Sequence, residues 1–133
     1  MYYRLLFSLV FIGLLALGGC KQDADVVAPE VLFGKDWYNT RQQPDAAGFF
    51  TYKVQGTYTP QGGWGIDGFR LEADGTFVLH TQGPADGPLD VPGTWQQEGP
   101  GKYRISLSLS NGQPPYLLTI ELIDDTTLRA RQN

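Results

Sequence analysis

The chain has 133 residues and a mass of 14.7 kDa, enough for one domain. Ten Lys and Arg against fourteen Asp and Glu give a net charge of −4 and a pI near 4.7, which excludes a basic nucleic-acid binder because phosphate affinity comes from clustered cations. One Cys and one His exclude a disulfide framework and a multi-histidine metal site, and 41% hydrophobic with 13% aromatic residues exclude a chain that stays unfolded.

Residues 1–20 read MYYRLLFSLVFIGLLALGGC. Arg4 precedes an apolar run from Leu5 to Leu17, and small Gly18 and Gly19 lead into Cys20. As a helix that run rises roughly 20 Å, short of a bilayer core of roughly 30 Å, so it reads as a secretory leader rather than a span. Leu17-Gly18-Gly19-Cys20 resembles the lipobox of bacterial lipoproteins. The resemblance implies cleavage before Cys20, acylation of Cys20 and anchoring to a membrane through the new N-terminal lipid. Durable anchoring needs more than one acyl chain, which that modification provides. Loss of Arg4 leaves nine basic against fourteen acidic side chains, a net −5. Lys21, standing where such lipoproteins carry an inner-membrane Asp, points to the outer membrane of the cell envelope.

Lys21 to Glu30 (KQDADVVAPE) has no period that could bury a face and reads as a flexible tether. The expected organisation is a signal peptide over 1–19, a tether over 20–30 and a folded domain over 31–133. That domain alternates as strands do: Tyr103, Ile105, Leu107 and Leu109 are separated by Arg104, Ser106 and Ser108. Phe69 and Leu71 alternate with Arg70 and Glu72, and Phe77 and Leu79 with Val78 and His80. Ala73-Asp74-Gly75, Gly99-Pro100-Gly101, Asn111-Gly112 and Asp124-Asp125 are turn formers between these runs. The pattern predicts strands near 35–41, 49–58, 66–73, 76–82, 92–98, 102–109, 115–123 and 126–132. Eight short strands with tight turns predict an all-β, antiparallel up-and-down barrel, which removes every exposed edge.

The order of Gly34-Lys35-Asp36-Trp37, the hairpin from Phe69 to Phe77, Gly93-Thr94-Trp95, Tyr103-Arg104-Ile105 and the closing Leu117–Leu128 hairpin resembles the small lipocalin-like domains of bacterial lipoproteins. Lipocalins set Gly and Trp two apart on the first strand, whereas Gly34 and Trp37 are three apart, and the C-terminal helix pattern is missing. These departures argue against a deep calyx.

Candidate ligand-binding residues follow from side-chain chemistry. Trp37, Trp64 and Trp95 carry indoles that stack on ligands, although Trp37 and Trp95 also suit a barrel core. Trp64, among glycines in Gln61-Gly62-Gly63-Trp64-Gly65, reads as a loop residue with something to touch. Phe50, Tyr52, Val54 and Tyr58 share one face, with Tyr52 and Tyr58 suited to a pocket rim. His80 faces away from Phe77 and Leu79, and no nucleophile-elbow motif accompanies it. The chain therefore reads as a lipid-anchored, non-enzymatic binding module for a small apolar molecule or glycan, with no metal or cofactor. Two alternatives stand beside it: an inhibitor-like interaction barrel using the Lys21–Glu30 trunk, and a hydrolase or isomerase using His80 with nearby acids.

Overall fold

A computed structural model describes residues 28–58, 67–108 and 113–133. Its strands are β1 (Trp37–Asn39), β2 (Phe50–Val54), β3 (Gly68–Leu71), β4 (Thr76–Gln82), β5 (Pro88–Gly99), β6 (Lys102–Leu107), β7 (Tyr116–Asp124) and β8 (Thr127–Gln132). They close into the expected eight-stranded barrel in the order β1-β2-β8-β7-β6-β5-β4-β3, with every neighbour antiparallel. From β3 to β8 the chain is a meander. At the start it departs from that order, because β1 lies between β2 and β3. Val54 ends β2 beside Trp37, and Gly68 begins β3 beside Tyr38. The two strands therefore run the same way.

Period-two alternation sets the wall. Trp37, Phe69, Leu71, Phe77, Ile105 and Leu128 point inward and are at most 3% exposed. Each fully buried side chain of this size stabilises the fold by about 2 kcal/mol. The predicted turns do their work with side chains: Asp74 Oδ1 accepts from Thr76 N at 2.9 Å, and Asp124 Oδ1 from Thr126 N at 2.9 Å. Gly75 at φ 94° supplies the left-handed residue of the first hairpin. β5 begins at Pro88, ahead of the expected residue 92, and pairs Pro88 with Gln82 and Pro92 with Val78.

The two ends of the barrel differ. At one, a 3-10 turn over Glu30–Leu32 caps the opening: Leu32 is fully buried and Ala28 is 5% exposed. The Trp37 indole N–H donates to Leu32 O at 3.1 Å, and Phe33 stacks on Trp95 at 5.5 Å. The folded body thus begins no later than Ala28, ahead of the expected boundary at Val31, because Ala28 and Leu32 pack into the core. The other end, where β1 stops and β2 starts, carries the β1–β2 and β4–β5 connections and the C-terminus.

Candidate functional site

That second end opens into a cavity of about 300 Å³. This is roughly the volume of ten liquid waters. Its wall comes from inward positions near the strand ends: Phe50 and Tyr52 of β2, Leu79 of β4, Tyr116 and Leu118 of β7, and Ala130 of β8. Register explains the gathering. Phe50 pairs with Ala130 and Tyr52 with Leu128, so β2 and β8 present the same face inward. The Phe69 ring lies 5.0 Å from that of Tyr52 and floors the chamber against the core.

Polar side chains share the lining: Asn39, Asp67, Thr81, Arg131 and Gln132 stand beside the two tyrosines. Among the described residues, Arg131 Nε is buried without a hydrogen-bond partner. Burial pushes the Tyr116 hydroxyl up to about 12, with the neighbouring Tyr52 adding to the shift. Burial likewise raises Tyr52, against a hydrogen bond from the Asn39 side chain. Asn39 Oδ1 accepts Arg41 N at 2.8 Å. Both phenols are thereby kept in the protonated form. At the rim, Asp67 pairs with Arg41 Nη2 at 3.0 Å.

The β1–β2 connection is clamped to the outside of β8. Arg129 Nη1 donates to Asp45 Oδ2 at 2.7 Å, and Arg131 Nη1 to Ala47 O at 2.7 Å. Both guanidinium groups lie against the Phe49 ring, at 5.4 and 4.8 Å. The rim is thus held by charge-assisted bonds rather than by a sheet ladder.

A second polar cluster sits on the outer wall. Tyr38, Gly68, His80 and Asp90 occupy one row across β1, β3, β4 and β5. His80 is 6% exposed, under a Tyr38 ring stacked at 5.2 Å. Its Nδ1 lies 2.7 Å from Asp90 Oδ1 and its Nε2 lies 2.8 Å from Asp36 Oδ1. Each ring nitrogen therefore faces a carboxylate oxygen. Arg70 Nε completes the cluster, donating to the same Asp36 oxygen at 2.8 Å.

Of the residues singled out in the sequence, Tyr52 lines the mouth. Tyr58 stands at the same end, donating its hydroxyl to Thr40 O at 3.1 Å. Trp37 is fully buried and spends its N–H on Leu32. It lies in the core, away from the mouth, because a small barrel needs its largest rings as filler. Trp95 is likewise tied down, to Glu72 O at 2.8 Å. Trp64 and Cys20 lie outside the described residues. Tyr116, Asn39 and the partners of His80 were not singled out. Tyr116 shares parity with Leu118 and Ile120, a signal that the uniformly apolar run YLLTIELI conceals. Among the described residues, no group of three or more His, Cys, Asp or Glu side chains is placed to hold a metal ion.

No protein-family model, no curated protein and no solved structure matches the chain.

Proposed function

We propose that the chain is a non-enzymatic, lipocalin-like binding module that takes a small, largely apolar molecule into the open end of its barrel. The observation that carries this reading is the 300 Å³ mouth walled by Phe50, Tyr52, Phe69, Leu79, Tyr116 and Leu118. The same lining also carries Asn39, Asp67, Thr81, Arg131 and Gln132, so a guest with polar groups beside its apolar part suits the mouth. The volume sits at the lower end of the range for ligand sites and suits a single ring or a short chain. His80, held on both nitrogens, supports a structural rather than a general-base role. The lipobox-like Leu17–Cys20 supports anchoring to the outer membrane of a cell envelope through acylated Cys20.

Native mass spectrometry of the full-length chain, incubated with an envelope extract, tests the binding reading. A small molecule is expected to be retained by the natural sequence and lost from Thr81→Trp, which places an indole at the rim. Retention of nothing above a buffer control would overturn it. Palmitate labelling that persists in Cys20→Ala would overturn the anchor.

A second reading, a barrel that docks a protein, draws on exposed Phe50 and Leu89 (37% and 42%) toward the open end. Stoichiometric co-purification of one protein, lost in a Phe50→Ser, Leu89→Ser double variant, would favour it over the first.

A further inference from the structure

Arg131 stands apart from the other arginines. Among the described residues, Arg41 faces Asp67, Arg70 faces Asp36 and Glu72, Arg104 faces Glu98, and Arg129 faces Asp45 and Glu121. None of those residues brings a carboxylate within ion-pair reach of Arg131. Its Nη1 donates to Ala47 O at 2.7 Å, and its guanidinium group lies 4.8 Å from the Phe49 ring. Its Nε is buried with no hydrogen-bond partner among the described residues. A donor shielded from water and left unpaired is unfavourable, the more so on a charged group, and an incoming acceptor recovers the loss.

That donor belongs to a side chain that lines the mouth. Arg131 lies near the end of β8, where Gly48 of the β1–β2 connection approaches its stem: a Cβ there would stand 3.4 Å from Arg131 Cδ. Guanidinium geometry sets what fits. With Nη1 spent on Ala47, the N–H groups of Nε and Nη2 form the other edge of a planar fork, spaced for the two oxygens of a carboxylate. The other titratable groups at the rim are already engaged: Asp67 with Arg41 at 3.0 Å, and the His80 nitrogens with Asp36 and Asp90. The apolar part of the lining, with Phe50, Leu79 and Leu118, has room for a ring or a short chain.

We infer that the mouth takes small amphiphilic monocarboxylates, with the carboxylate on the Nε–Nη2 edge of Arg131 and the hydrocarbon part in the chamber. This rests on the binding reading above and adds to it a chemical class. Nε is out of water's reach, so the guest draws that edge toward the mouth, a movement open to a long side chain tied by one hydrogen bond.

The test uses three planar probes of nearly one shape that differ in charge: benzoate, neutral nitrobenzene and cationic benzamidinium. Each is titrated against the full-length chain, with free probe measured by dialysis. Occupancy is read from the methyl NMR signals of Leu79, Leu118 and Ala130, which line the mouth, and the contact itself from the Arg131 Nε–H signal. Benzoate is expected to bind about tenfold or more tighter than nitrobenzene, with benzamidinium weakest, and to shift the Nε–H signal as the methyl signals move. The chain carries a net charge of −4, so its overall field favours the cation, and a preference for the anion reports a local partner. In Arg131→Gln the preference should vanish while nitrobenzene affinity stays within about twofold, which shows that the chamber is intact. Equal binding of benzoate and nitrobenzene, tightest binding of benzamidinium, an Nε–H signal that benzoate leaves in place, or a preference that survives in Arg131→Gln overturns the inference and leaves the binding reading standing. If none of the three probes moves the methyl signals, the binding reading falls and the inference with it. The probe comparison and the Nε–H signal need no variant, so a misfolded Arg131→Gln does not protect the idea.

Discussion

His80 leaves the barrel on its outer face and is nevertheless hidden, because Gly68 next to it has no side chain and Tyr38 folds across the gap. Asp36 and Asp90 then close on the two ring nitrogens. Alternation gives the outward direction of His80 from sequence alone. Its burial is invisible there, since Asp36 and Asp90 meet it only once β1, β3, β4 and β5 are in register. For Asp36, burial pushes the carboxyl up, but the bonds from Arg70 and His80 and their charges outweigh it and hold the group below its ordinary 3.8. A folded value below the unfolded one makes its contribution complete above pH 3.8 and lost as the pH falls through the lower folded value. Asp36→Asn should therefore destabilise the protein by about 2 kcal/mol at pH 7, where a neutral amide oxygen replaces the carboxylate that faces Arg70 and His80. Urea unfolding at pH 7 and at successively lower pH checks this: the gap between natural sequence and variant should narrow below pH 3.8. A gap that does not change with pH would assign the loss to packing instead.

β1 is three residues long and holds its place between β2 and β3 by close approach rather than by ladder length. A Cβ built at Gly68 would stand 2.1 Å from Trp37 O and 3.0 Å from the Tyr38 ring. Gly68→Ala must push β1 off β3 and should cost about 3 kcal/mol, the upper part of the range for overpacking. Tyr38 would be displaced with it, so His80 amide and ring signals in NMR should move even at positions the methyl does not touch. A variant as stable as the natural chain would show that β1 is free to shift. At this scale the sequence is informative about strands and poor about neighbours. β4 runs 76–82 as its alternation says, and Phe50, Tyr52 and Val54 lie on one side of β2. The insertion of β1 between β2 and β3 is not legible, because period two names a face and not a partner. Pro88 and Pro92 hid the first third of β5 for a related reason: proline argues against a strand until a barrel shows which of its backbone groups go unpaired.

As a whole, the molecule is a cup with a stopper and a brim. The stopper is the segment Ala28–Leu32, and a smaller cavity of about 160 Å³ remains beneath it between Leu32, Tyr103 and Ile120. Leu32→Ala should enlarge that space and cost about 3 kcal/mol, as leucine truncations in a core do. Because the two cavities lie at opposite ends, the variant should leave retention of a small molecule at the mouth unchanged within about twofold. Thermal unfolding together with native mass spectrometry separates the two effects. Much of this plan was readable beforehand, namely eight strands and a closed barrel. The stopper was not, since Ala28-Pro29-Glu30 has too few apolar residues to announce a core contact, and only the opening under it gives Leu32 somewhere to go.

The placing of that stopper has a bearing on traffic. The polypeptide comes into the body at one pole, through Ala28, and the doorway is at the other. Under the proposed anchor and binding mode, a leash and a gangway at opposite poles would not obstruct each other, so cargo could board and leave while the vessel stays moored.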